Sequence, residues 1–260
     1  MLTLLSPAKT LNFDFDSDGL KLSAPRFEGD IAELLGTCRK LTAPKLRDLM
    51  RLSPKLAELN RDRFRTMELP FTESNSKPAL LTFGGDVYRG FDAASLSRRD
   101  LNWSQRRIRI LSGFYGMLRP LDMMQPYRLE MGTRLSNKRG KNLYEFWGPR
   151  ITEAINDDLK GRGTKAVVNL ASNEYFKGVQ PAGLKAPLVT ALFKEDREGT
   201  IRTISFSAKR ARGLMARFIV QNRVDSPEGM QDFNEEGYSY RPDLSDESTM
   251  LFVRDQHWKS

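Results

Sequence analysis

The sequence predicts a single mixed α/β (α+β) domain, and three observations carry that prediction. Short apolar runs of strand length alternate with longer stretches whose apolar residues recur at helical spacing. The alternation keeps no regular βαβ beat, which points to a central mixed sheet with flanking helices. No internal repeat, low-complexity tract or linker divides the 260 residues, so 1–260 reads as one domain large enough to bury a core.

Taken in order, "LTLL" (Leu2–Leu5) is a short buried strand cut off by Ser6-Pro7, and a polar loop follows to about Phe27. "EGDIAELLGTCRKL" is a helix with Ile31, Leu34, Leu35 and Cys38 on one stripe. "TAPKLRDLMRL" and "SPKLAELNRDRF" each set a Thr or Ser cap ahead of an early proline, which makes two clean helix starts. "SKPALLTFGG" reads as a strand closing on two glycines, and "SLSRRDLNWSQRRIRILSG" as a helix running into a strand that ends at Gly113. The Gly-, Pro- and aromatic-rich stretch from Phe114 to Leu135 reads as a long ordered loop leading into a strand. "NLYEFWGPRITEAINDDLKGRG" reads as one amphipathic helix closed by glycines. "AVVNLAS" is a strand, and "LVTALFKED" pairs with "TIRTISFSA" across an "REG" turn. A helix over "FSAKRARGLMARFIVQNR" and a strand over "TMLFVRD" follow.

Charge narrows the function. The net charge is +9 and the pI about 9.7, which favours a partner bearing phosphates or another anionic surface. Residues 225–260 hold nine acids against three bases, so the other residues carry about +15. That polarity predicts a basic surface with an acidic C-terminal flank. No apolar run approaches the ~18 residues of a membrane span, and no secretory signal pattern opens the chain. Cys38 is alone, which excludes an intramolecular disulfide and fits a cytoplasmic protein. With His257 the one histidine, a His-based triad or multi-His metal site is excluded, and neither metal nor cofactor is expected.

"SPAKT" (Ser6–Thr10) follows a strand, where phosphate loops sit, but it lacks both P-loop glycines and Pro7 removes an amide. The same residues spell S-x-x-K, with "SNE" at Ser172–Glu174 as a second serine-hydrolase element. No K-T-G accompanies them and Pro7 spoils a helical Ser–Lys pairing. What remains is Lys9 and Thr10 binding an anion at a strand end, against a purely structural role. "DFDSDG" (Asp14–Gly19) starts like a calcium loop, but Pro25 stands at the twelfth position, so it reads as a solvated acidic turn.

Three basic stretches are candidates for nucleic acid. Residues 41–60 place Lys45, Arg47, Arg51 and Lys55 on two short helices with a tight connector. This is a helix–hairpin–helix-like arrangement suited to phosphate backbone, though the usual hairpin glycine is missing. Arg106, Arg107, Arg109 and Arg128 are interleaved with Phe114, Tyr115 and Tyr127, a pattern that serves backbone contact and base stacking, or equally a packed loop. Glu130 beside Arg128 makes a carboxylate–guanidinium pair. In the helix read over Phe206–Arg223, Ala208, Ala211, Leu214, Met215, Phe218 and Ile219 share one arc of about 140°. Lys209, Arg210, Arg212, Arg217 and Arg223 share the other, with no acid among them and with Gly213 open to close approach by a backbone. Such a face is expected to meet an anion.

The segments "SPAKTL", "LSGFYGMLRPLDMMQPYRLEMG", "NLASNEYF" and "SAKRARGLMARFI" together resemble the bacterial YaaA family of peroxide-stress proteins, from Met1 to about Val253. The likeness is weakest in Asp14–Lys40 and in the acidic segment 225–260. The resemblance implies the single-domain "cantaloupe" fold, with a basic cleft and a helix–hairpin–helix-like element that falls at Leu41–Asn60 here. It implies binding of double-stranded or distorted DNA, and a part in limiting peroxide and iron damage in the cytoplasm. By position, the cleft would draw on Lys9, Arg128 and Lys209.

Two functions are therefore carried forward. The first is a monomeric DNA-binding stress protein reading backbone and shape, through Lys9, Lys45, Arg47, Arg51, Lys55, Arg106, Arg107, Arg109, Arg128, Lys209, Arg210, Arg212 and Arg217. The second is an enzyme acting on a small anionic nucleotide or acyl-phosphate in the same cleft. Its candidate residues are Lys9, Arg128, Glu130, Asn169, Glu174, Tyr175 and Lys209. A third, blander reading makes the acidic segment a contact for another protein.

Overall fold

A computed structural model provides the structure of residues 1–161, 163, 165–255 and 258; His257 and Lys259 lie outside these described residues. The chain runs through β1 (Leu2–Leu5), α1 (Glu28–Cys38), α2 (Ala43–Met50), α3 (Pro54–Thr66), the two-residue β2 (Lys77–Pro78), α4 (Ala79–Thr82), α5 (Asp86–Phe91) and α6 (Arg98–Arg107). Next come β3 (Ile108–Ser112), β4 (Gly116–Leu118), β5 (Met123–Met124), α7 (Leu143–Trp147), α8 (Arg150–Leu159), β6 (Val167–Asn169) and α9 (Asn173–Phe176). β7 (Leu188–Arg197), β8 (Thr200–Arg202), α10 (Ser205–Gln221), β9 (Ser239–Tyr240) and β10 (Thr249–Asp255) follow.

Eight of these strands form one mixed sheet in the order β4-β3-β1-β6-β7-β10-β9, with β8 hung on β7. β1 lies inside it, parallel to β3 (Thr3 opposite Ile108) and to β6 (Leu4 opposite Asn169). β6, β7 and β10 continue in parallel, whereas β4, β8 and β9 pair antiparallel. Every residue of β1, β3 and β6 is buried, which is why these strands read as near-continuous apolar runs and not as alternating ones.

The topology creates one special place. The connection leaving β1 reaches β3 on one side, and the connection leaving β6 reaches β7 on the other. Adjacent carboxyl ends with diverging connections leave a crevice between them, the usual ligand position in open α/β sheets.

α10 packs on α5, α6 and β7. Ala208, Ala211, Leu214, Met215 and Ile219 are buried as the wheel requires, while Phe218 is half-buried. Gly213 opens the opposite side to α5: a Cβ there would stand 1.8 Å from the Val87 carbonyl oxygen. One on Gly90 would stand 2.3 Å from that of Arg210. The close backbone approach expected at Gly213 is therefore present, and its partner is α5.

Four expectations about elements are corrected. "SKPALLTFGG" is not a strand. After Lys77–Pro78 the buried Ala79, Leu80 and Thr82 form α4, and the amides of Ala79 and Leu80 donate to the carbonyls of Asp122 and Pro120. An unbroken apolar run cannot be told from a buried helix by periodicity. The helix expected over 142–163 is split into α7 and α8 at Gly148-Pro149; Gly148 holds φ 49°, ψ −131°, a conformation open to glycine. The loop after β3 contains β4 and β5 and leads to α7, not to a strand. β8 stops at Arg202 because Ser205–Ala208 already belongs to α10.

Candidate functional site

The crevice at the ends of β1 and β6 has a volume of about 420 Å³. Ser6–Thr10 line it from β1, Leu170, Ser172, Glu174 and Tyr175 from β6, Gly84–Val87 from the turn into α5, and Lys209 and Arg212 from α10. Two serines tie its floor together. The Ser172 amide donates to Ser6 Oγ at 2.8 Å, and Ser6 Oγ donates to Ser172 Oγ at 3.3 Å. The Tyr88 hydroxyl donates to the Ser6 carbonyl at 2.9 Å, and burial pushes its pKa well above the ordinary range. S-x-x-K and SNE thus do meet in space, but Ser6 is engaged in linking strand ends and not with a base.

The structure brings Lys9, Glu174, Tyr175 and Lys209 into this one crevice. Lys9 Nζ lies 2.8 Å from Glu130 Oε1, and the same oxygen accepts from Arg128 Nη2 at 3.1 Å. Glu130 therefore tethers Lys9 and Arg128, and the expected Arg128–Glu130 pair is present. Arg128 is not among the residues that line the crevice, and its buried Nε has no hydrogen-bond partner among the described residues. Arg63 of α3 stands close enough to Arg128 to repel it, and burial together with that repulsion lowers the Arg63 pKa. Glu174 accepts from the Gly132 amide at 3.0 Å. Burial, with Tyr127, Glu174 and Glu130 nearby, raises the Tyr175 pKa and keeps its hydroxyl neutral. Asn169 is not in the crevice lining; it turns the chain after β6 by accepting from the Ala171 amide at 2.9 Å.

Arg212 has the most unusual setting. Burial alone lowers its pKa, with no carboxylate raising it, and it forms no ion pair among the described residues. Lys209, one turn earlier, is exposed and forms none either.

Several proposed nucleic-acid contacts are elsewhere. Arg109 is 2% exposed in β3, with Nε 2.6 Å from Asp158 and Nη1 on the carbonyls of Gln105 and Ile108, so it is a core ion pair. Phe114, Tyr115 and Tyr127 are buried and packed on one another, which removes them as base-stacking residues. The basic arc of α10 is mostly engaged within the protein. Arg210 pairs with Glu236 at 2.6 Å, Arg223 pairs with Asp100 at 2.5 Å, and Arg217 donates to the carbonyls of Phe91 and Asp92 at the end of α5. Arg107 stacks on Trp103 and lies 3.4 Å from Asp225; Arg106 is exposed. Two residues of the acidic segment, Asp225 and Glu236, thus pair with Arg107 and Arg210 of the preceding chain.

Residues 41–60 fold as two helices. Thr42 and Ser53 cap α2 and α3 by accepting from the amides of Lys45 and Leu56. Between them Arg51 adopts φ 53°, ψ 49°, flanked by buried Met50 and Leu52. Arg51 thus holds the left-handed conformation that glycine usually supplies between two apolar residues. Lys45, Arg51 and Lys55 are exposed and form no ion pair among the described residues, whereas Arg47 pairs with Asp48 at 3.2 Å.

Sequence reasoning passed over Thr10's neighbours Gly84–Gly85, as well as Asp86 and Tyr88. Only the "GG" pair offered a signal. Among the described residues no helix is long and apolar enough to cross a membrane.

An open mixed α/β sheet with a crevice at its switch point defines the class of protein, and comparison with known proteins gives the family. The family described as "Peroxide stress protein YaaA" matches residues 1–244, and this chain belongs to it. A "UPF0246 protein" of Aliivibrio fischeri strain MJ11 is 48% identical over 259 residues, covering 100% of both chains. A second from Idiomarina loihiensis is 48% identical over 254 residues, and a third from Paraburkholderia xenovorans 49% over 256, each covering 98% of both chains.

Proposed function

We propose that this peroxide-stress protein acts in the cytoplasm as a monomer that grips the backbone of duplex or distorted DNA without strong sequence preference. The observation that carries the reading is the hairpin of α2 and α3. Among the described residues its Lys45, Arg51 and Lys55 are exposed and form no ion pair, and Arg51 takes φ 53° in the short connector between the two capped helices, which supports a grip on phosphates. The basic residues continue along α3 to Arg63, beside Arg128. Phosphates neutralised by Lys and Arg release their condensed cations, ferrous iron included. Covered DNA would then hold less of the metal that turns peroxide into a damaging oxidant.

A salt-titrated binding assay with labelled duplex, bubble and junction DNA tests the reading. Affinity should fall with a log–log slope of about −0.9 per phosphate neutralised, and Lys45→Gln or Lys55→Gln should each make that slope shallower by about one contact. Undetectable binding of all three DNAs at ~50 mM salt would sink it.

A further inference from the structure

We propose that the crevice at the carboxyl ends of β1 and β6 binds a phosphorylated small molecule, its phosphate held by Arg212 and Lys209 and its remainder against Pro7, Leu170 and Tyr175. This goes beyond a DNA-binding hairpin and stands or falls separately from it, because the hairpin residues do not line the crevice.

Position is the first argument. A crevice of about 420 Å³ at a topological switch point has the size and place of a small-ligand site. Charge is the second. Lys9 is compensated by Glu130 at 2.8 Å, and the crevice acids are engaged as well. Asp86 lies 3.6 Å from Arg89, and Glu174, held by the Gly132 amide, is the lining carboxylate that keeps its charge, so Lys9, Lys209 and Arg212 still leave the crevice with a cationic excess. Among the described residues Arg212 and Lys209 are left as two cations without an ion pair, and Arg212 is half-buried in the crevice wall, where burial lowers its pKa. A desolvated charge without a counter-charge is costly, and an arriving anion removes that cost. Two positive charges match a phosphate monoester, which carries about −1.5 to −2 at neutral pH, better than a single carboxylate.

Geometry is the third argument. Arg212 adjoins Gly213, whose backbone is pressed against Val87 of α5, so the guanidinium projects from a fixed point beside the Gly84–Val87 wall. Also lining the crevice, Ser172 Oγ accepts a hydrogen bond from the Ser6 hydroxyl, and its own hydroxyl proton can be donated to a phosphate oxygen. Thr10 offers a second hydroxyl at the same wall.

The test is calorimetric titration of the full chain with inorganic phosphate, AMP and a 5′-phosphorylated duplex. Saturable binding of phosphate and AMP is expected, with AMP weakened about tenfold or more by Arg212→Gln and by Lys209→Gln. Lys45→Gln together with Lys55→Gln should leave AMP binding unchanged. As a folding control, Arg212→Met should keep or raise the thermal midpoint of the unliganded protein, since it removes an uncompensated charge. Absence of phosphate and AMP binding at millimolar concentration, or equal AMP affinity in Arg212→Gln, overturns the proposal. So does a lowered midpoint in Arg212→Met, which would make the residue a structural support. Binding of the duplex alone, weakened by Arg212→Gln, also overturns it and assigns the crevice to the DNA grip.

Discussion

Gly213 and Val87 touch backbone to backbone: a Cβ on the glycine would stand 1.8 Å from the valine carbonyl oxygen. This contact fixes α10 against α5, and with it one wall of the crevice. Gly213→Ala must force the helices apart and should lose about 3 kcal/mol in urea unfolding. Gly36 in α1 gives the contrast, because a Cβ there meets nothing within 4 Å. Gly36→Ala should gain about 0.5–1 kcal/mol. Similar values for the two substitutions would refute the packing account.

Arg51 separates charge from fold. Its positive φ of 53° costs a non-glycine residue about 1 kcal/mol, so Arg51→Gly should hold or raise stability while removing one exposed cation. Under the DNA reading, the variant binds duplex more weakly and its salt slope falls by about 0.9. A more stable variant with an unchanged slope would take Arg51 out of the interface.

Asp100 gives a pH signature. Its side chain accepts from the Ser97 hydroxyl at 2.7 Å in the capping box of α6, and from Arg223 at 2.5 Å. These contacts, Ser97 first, hold its pKa below the ordinary 3.8. A lowered folded-state pKa contributes stability that is present above 3.8 and lost as pH falls through the lower value. Asp100→Asn should therefore cost about 1 kcal/mol at pH 7, and the gap to the parent should close in acid. Thermal midpoints measured from pH 7 to pH 3 read this directly; a constant gap would contradict it.

Cys38 bears on how peroxide enters the biology. Burial in the core pushes its pKa up to about 12, so the reactive thiolate is scarce at neutral pH. Thiol reagents should label the native protein at a negligible rate and label it fully in denaturant. Rapid native labelling, or sulfenic acid formed by dilute peroxide, would make Cys38 a sensor after all.

What could be read in the sequence was what local pattern carries. β1 and β6 are apolar runs of strand length, the Thr42 and Ser53 caps announce α2 and α3, and the wheel separates the two arcs of α10. Relations between distant segments could not be read. Arg109 looks like a surface charge between Ile108 and Ile110 until Asp158 is brought beside it. Arg210, Arg217 and Arg223 look free until Glu236, the end of α5 and Asp100 arrive. The crevice was half legible: Lys9, Glu174, Tyr175 and Lys209 were singled out as polar residues at element ends. Which strand ends are neighbours is settled by sheet order, and Ser6 meets Ser172 across 166 residues.

The interior position of β1 also bears on how the protein is made. Leu2–Leu5 is synthesised well before both of its neighbours, which contain Ile108 and Asn169. Through much of synthesis the nascent chain therefore carries an apolar strand with both edges unpaired. A copy still being translated therefore presents an unpaired apolar strand that a finished copy, with β1 bonded on both edges, does not.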